Sequence, residues 1–113
     1  MDIDITDIGG SITCVRVFGA LSRDGLAGHG LPWEQQGAAH PRHVAVDLSR
    51  VAGLSDDAVQ VLLEGGLALQ ARGRVLVLFG ASARITEQLR TADARGALAL
   101  APDEAAAVDG LFA

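Results

Sequence analysis

The amino-acid sequence predicts an α/β fold: a mixed four- to five-stranded sheet with an N-terminal β-hairpin and a largely parallel second half, with helices packed on it. Three observations carry this. Near the N-terminus two strand-like runs flank a Gly-Gly pair, a strong hairpin signal. Further on, "HVAVDL" and "RVLVLFG" are short continuous apolar runs, as expected of parallel strands covered on both faces. Between and after them lie segments of helical periodicity, so that strand and helix alternate.

The elements follow in order. "IDITDI" alternates apolar and polar residues through Ile3 and Ile5, as a half-buried strand does. Gly9 and Gly10 supply the turn, and "SITCVRVFG" is the second, antiparallel strand. Residues 22–42 are rich in glycine and hold Pro32 and Pro41. Within them "PWEQQGAA" is expected to form about two helical turns, with Pro32 in the first turn and Trp33 as a packing anchor. The apolar run from His43 ends as a strand at Leu48. A helix is expected from about Asp56 to Ala71, with Val59, Leu62, Leu63 and Leu67 on its inward stripe and Gly73 as the stop. After the strand "RVLVLFG", a second helix, "SARITEQLRTA", has Ser82 as N-cap and Ile85 and Leu89 facing inward. "ALALA" is a short strand. "PDEAAAVDGLF" is a last helix, with Pro102 at its start and acids where the helix dipole favours them.

The 113 residues fit one domain, residues 1–113, large enough for one core. No apolar run reaches the roughly 18 residues of a membrane-spanning helix, and the acidic "MDIDITD" is not a signal peptide. Cys14 has no internal partner for a disulfide and sits in an apolar strand, where a thiol acts as a small hydrophobe. These features predict a cytoplasmic protein. The net charge is −5, and all nine basic residues are arginine. Residues 1–64 carry nine acids and four arginines; residues 65–113 carry five of each. An acidic chain without a basic stripe argues against direct binding of nucleic acid and fits a protein partner with a basic or mixed surface.

Catalytic chemistry finds little support. No glycine loop is followed by the lysine and helix that a phosphate-binding loop requires. His29, His40 and His43 could be combined with Cys14 or Asp47 as metal ligands, but histidines in loops and at strand edges are ordinarily solvated, and no metal or other cofactor is expected. No histidine is marked as a base for Ser55. Asp56 and Asp57 cannot flank one substrate as a carboxylate pair, because neighbours at a helix start point about 100° apart. No catalytic residues are assigned, and the chain reads as a non-enzyme.

The junction "SDD", Ser55 to Asp57, therefore stands out. Capping explains part of it, since serine and aspartate oxygens accept from the orphan N–H groups of a helix start. Position suggests more: in open α/β sheets, ligands and partners meet the carboxyl ends of the strands, and the loop Gly80 to Ala83 leaves the next strand on the same rim.

At this point the sequence resembles a known family. Residues 42–92, "RHVAVDLSRVAGLSDDAVQVLLEGGLALQARGRVLVLFGASARITEQLRTA", look like a STAS domain, the fold of the anti-sigma factor antagonists. That family has an apolar strand ending in Asp-Leu-Ser, then a hydrophobic residue and Asp-Ser-(Ser/Ala)-Gly-Leu opening a helix. "VDLS" at Val46 to Ser49 matches this, Leu54 matches the hydrophobic residue and Val59 the leucine; "GAL" at Gly19 to Leu21 resembles the family's Gly-Glu-Leu. The resemblance implies a regulatory module acting by protein–protein contact, with an anti-sigma factor that is also a histidine-kinase-like serine kinase as its partner. The ungapped match sets Ser55 on the family's aspartate and Asp56 on its phosphoserine; a match slipped by one would make Ser55 the phosphoacceptor. The implied partner face comprises Ser55, Asp56, Asp57, Val59, Gln60, Gly80, Ala81 and Ser82. An alternative role is that of an accessory module in a transporter complex for lipids or anions, or a small-ligand module, since STAS modules also occur in transporters.

Overall fold

The computed structural model describes residues 2–8, 12–29, 43–94 and 96–112. Five strands form one sheet in the order β1-β2-β3-β4-β5: β1 (Asp2–Ile8), β2 (Ile12–Leu21), β3 (His43–Leu54), β4 (Leu76–Phe79) and β5 (Leu98–Ala101). The first pair is antiparallel, in register from Asp2↔Phe18 to Ile8↔Ile12. All later pairs are parallel. The alternation of β1 and the apolar runs of β3 and β4 thus give the mixed sheet that their patterns predict. The Gly9–Gly10 turn lies outside the described residues.

Among the described residues, four helices cover the sheet: α1 (Arg23–His29), α2 (Asp56–Gln70), α3 (Ala83–Ala92) and α4 (Glu104–Phe112). Side chains from α1, α2 and α3 pack with Val15, Val17, Val46 and Leu78 on one face. On the other face, Ala107, Val108 and Leu111 of α4 pack against Ile12, Cys14, Ala45, Val77 and Phe79. This alternation of facing residues along each strand is the period-2 geometry of a sheet covered on both sides. Cys14 is fully buried, as its apolar surroundings predict.

Three boundaries differ from the sequence reading, each for a physical reason. First, β3 does not stop at Leu48 but runs to Leu54, because β2 continues beside it to the Leu21↔Leu54 pair. Register shifts between Arg16 and Phe18 and between Gly19 and Ala20 accommodate the extension, and Gly19 takes a φ of 92° there, a conformation that glycine adopts without steric cost. Second, a helix forms at Arg23–His29 despite its glycines. The Ser22 hydroxyl accepts from the N–H of Gly25 (3.1 Å), and Leu26 is buried in the core. The helix expected in "PWEQQGAA" lies outside the described residues. Third, the inward stripe of α2 is rotated. Ala58, Val59, Val61, Leu62, Gly65, Gly66 and Leu69 are buried, whereas Leu63 is half-buried and Leu67 is 37% exposed. The smallest residues of α2 set its distance from the sheet: a Cβ on Gly66 would lie 2.3 Å from the carbonyl oxygen of Ala97.

The helix stops agree with the sequence. The N–H of Gly73 donates to the carbonyl of Gln70 (3.0 Å) and that of Arg74 to the carbonyl of Leu69 (2.8 Å), a Schellman closure with Gly73 at φ 71°. Ser82 caps α3 through the N–H of Ile85 (3.2 Å). In α4 the cap is Asp103, one residue after Pro102, accepting from Ala106 (2.8 Å).

Candidate functional site

The carboxyl end of β3 delivers Leu54 and Ser55 directly into α2, so the "SDD" corner is built by the strand-to-helix junction itself. Ser55 is the N-cap: its Oγ accepts from the N–H of Ala58 (3.2 Å). The Ser55 backbone N–H donates to the carbonyl of Leu21 (3.2 Å), which anchors the helix start to the end of β2. The Ser55 hydroxyl proton faces two acceptors, the Asp57 carboxylate and the Leu21 carbonyl (3.3 Å).

The two acids point to different surroundings. Asp57 is turned into the corner. The Ser55 hydroxyl, the backbone N–H groups of Arg23 and Ala58 and the Arg23 guanidinium together hold its carboxyl below the usual carboxylate range. Asp56 makes no side-chain hydrogen bond or ion pair among the described residues. It stands exposed at the rim of a groove between α2 and α3, whose near wall is Leu54, Asp56, Val59 and Gln60 and whose far wall is Arg84, Glu87, Gln88 and Thr91. Gln88 fixes the far wall by donating from Nε2 to the Leu54 carbonyl (3.0 Å).

Of the expected partner face, the fold brings Asp56, Val59 and Gln60 together on this groove. Val59 is buried and forms its floor. The Gly80–Ser82 loop does not line it: Gly80, at φ 73°, packs against Ser49, Ala81 against the core, and Ser82 caps α3. The opposing residues Arg84, Glu87 and Gln88 escaped the sequence reading. Nothing local marks them, because only the parallel β3–β4 pairing sets α3 beside α2.

A second polar cluster was also not foreseen. On the α4 face, Arg16 bridges Asp47 (Nη1 to Oδ2, 3.0 Å) and Glu104 (Nη2 to Oε1, 2.6 Å), and Asp47 accepts from the Ser49 N–H (2.9 Å). Burial pushes the Asp47 carboxyl up, but the Ser49 groups and Arg16 outweigh it and hold it below the ordinary value. This cluster ties β2, β3 and α4 together.

His43, considered above as a possible metal ligand, has a structural task. Its Nδ1 accepts from the N–H of Val75 (3.1 Å), beside the Val44 N–H bond to the Val75 carbonyl (3.1 Å). Burial and the nearby Arg74 push its pKa down, which keeps Nδ1 free to accept. No group of three or more His, Cys, Asp or Glu with metal-binding arrangement occurs among the described residues. No helix among them is long and apolar enough to cross a membrane.

No family model and no curated protein sequence matches this chain. Solved structures do. The anti-sigma factor antagonist SpoIIAA in its unphosphorylated form superposes with a TM-score of 0.77 at 11% identity, over 98% of both chains. A serine-to-glutamate variant of RsbS from Moorella thermoacetica does so with a TM-score of 0.77 at 20% identity, over 99% of this chain and 96% of that one. Murine Solute Carrier 26 family member A9, an anion transporter, matches with a TM-score of 0.68 at 13% identity, over 95% of this chain but 18% of the transporter. The superpositions on the two antagonists run along nearly the whole of both chains: this protein has the STAS fold of the anti-sigma factor antagonists.

Proposed function

We propose that this protein is a non-enzymatic regulatory module of the anti-sigma factor antagonist type, working in the cytoplasm through protein–protein contact. Its switch position is Asp56, where a carboxylate takes the place of the family's phosphoserine. The observation that carries the proposal is the division of labour at the corner. Ser55 is occupied as the N-cap, Asp57 is held by Ser55 and Arg23, and Asp56 is left exposed in the first turn of α2 beside the groove. A carboxylate there carries about one negative charge against the −1.5 to −2 of a phosphate. The protein is thus set toward the behaviour of a phosphorylated antagonist, which disfavours contact with the kinase-type anti-sigma factor.

The test compares wild type, Asp56→Ser and Asp56→Ala against a histidine-kinase-like anti-sigma factor, by calorimetry and by phosphate transfer. Removing a like charge from a desolvated contact is expected to tighten binding at least about tenfold, or ~1.4 kcal/mol, in both variants. Asp56→Ser alone gains a phosphoacceptor. Equal binding of all three proteins would reduce Asp56 to a helix-end charge, and phosphorylation of the wild type at Ser55 would make Ser55 the switch residue.

A second reading rests on the superposition with the anion transporter. In it the chain serves as an accessory module of a transporter complex, with the same corner as its contact. A permease and its ATPase encoded beside this chain, rather than a kinase and a sigma factor, would favour it.

A further inference from the structure

The α2 leucines that the core does not bury lie on one face. Leu63 and Leu67 follow the buried Val59 at helical spacing, with Gln60 and Glu64 beside them, and form the near wall of a second hollow that continues the groove past Gln60. Both hollows share Gln60 and Ala92, so the groove runs on from Asp56 to Leu67. That is twelve residues of helix, spanning roughly 16 Å at the standard rise, or about three turns. The far wall of this second half is made of Ala92, Ala94 and Ala97, which leave width between α2 and the chain leaving α3, together with Asp93, whose carboxylate is engaged by the N–H groups of Ala97 and Leu98. The floor is therefore apolar and the space has the length of a short helix.

The rim is acidic. Asp56, Glu64 and Glu87 border the groove, and Arg84 is the one basic residue among the described lining residues. Arg23 and Arg90 approach Glu64 and Glu87 at 3.6 Å each. Exposed pairs of that length contribute little and exchange readily for a better partner. An apolar floor between acidic rims selects an amphipathic helix whose apolar stripe is flanked by lysine or arginine.

We propose that the α2–α3 groove is a docking site for a basic amphipathic helix of a partner protein. The site extends well beyond the corner and does not require Asp56 to act as a switch. Apolar anchors of the incoming helix at i and i+3 or i+4 seat against Leu63 and Leu67, while its cations meet Asp56, Glu64 and Glu87.

The experiment uses the whole chain and a displayed library of 18-residue helical peptides, selected on wild type and counter-selected on Leu67→Glu. Leu67 is exposed, so this variant is expected to unfold at the same temperature as wild type. The expected consensus pairs helically spaced apolar residues with lysine or arginine. A synthetic peptide of that sequence is expected to lose at least about tenfold in affinity on Leu67→Glu, and also on Ala92→Arg from the opposite wall, and to weaken as salt is raised. No enrichment over the counter-selecting variant, or a consensus that is acidic or lacks helical spacing, overturns the proposal. So does wild-type self-association in sedimentation that Leu67→Glu abolishes, which would assign the groove to a second copy.

Discussion

Replacing Gly66 by alanine tests how α2, which carries both the corner and the groove, is held on the sheet. The added Cβ would lie 2.3 Å from the carbonyl oxygen and 2.9 Å from the carbonyl carbon of Ala97, and 3.2 Å from Leu98 Cδ2. The first two are backbone atoms, so the strain cannot be relieved by rotating a side chain. The segment that must move is also tied down. The Asp93 carboxylate accepts from the N–H groups of Ala97 (2.8 Å) and Leu98 (2.9 Å), and Gln70 donates to the Gly96 carbonyl (2.9 Å). Forcing a methyl group into such a contact costs about 1–3 kcal/mol. Against this, alanine in a helix interior gains about 0.8–1 kcal/mol over glycine. Because the contact is with anchored backbone, the cost falls in the upper part of its range, and the net loss is about 1–2 kcal/mol. Gly110 in α4 is the control: a Cβ there meets nothing within 4 Å, so Gly110→Ala keeps the helix gain and is expected to stabilise by about 0.5–1 kcal/mol. Urea and thermal unfolding measure both, at roughly 4 °C per kcal/mol for a domain of this size. A Gly66→Ala protein as stable as wild type, or more so, would refute the packing argument and the placement of Ala97 against α2.

Two further predictions concern the polar clusters. His43 has a folded pKa below its ordinary value of 6.5, so the unfolded chain binds the proton first. Stability is therefore expected to be complete above pH 6.5 and to fall as pH drops below it. His43→Ala, followed by urea unfolding between pH 5 and 8, is expected to flatten that dependence, and an unchanged slope would refute the role of Nδ1 as an acceptor. Arg16→Met leaves Asp47, whose side chain is 14% exposed, without its cation, and is expected to cost about 1 kcal/mol at pH 7, discounted from the buried-pair range because Arg16 itself is 35% exposed. The Asp47 contribution is present above its ordinary value of 3.8 and is lost as pH falls through the lower folded value. The cost of Arg16→Met should therefore shrink in acid, and a cost independent of pH would show that packing of the arginine stem, rather than its charge, matters.

The sequence by itself determined the alternation of strands and helices from His43 onward, the strand cores, the cap at Ser82 and the stop at Gly73. Each depends on short-range physics: a side-chain period, an N–H group in need of an acceptor, or a backbone angle that suits glycine. It also marked Ser55, Asp56 and Asp57 as one unusual corner. Only the tertiary structure divided their labour, because the neighbours that hold Asp57 and Ser55, Arg23 and Leu21, lie more than thirty residues away in sequence. The same holds for the extension of β3 to Leu54, which the paired β2 imposes, and for α1, whose glycines are offset by a cap and by the burial of Leu26. The α2 stripe shows the limit most clearly. Leucine is apolar whether it fills a core or lines a groove, so the periodicity that found Val59, Leu62, Leu63 and Leu67 could not separate Leu62, which is buried, from Leu67, which is exposed. That choice is made by where α2 meets the sheet, and the close approach of Gly66 to Ala97 sets it.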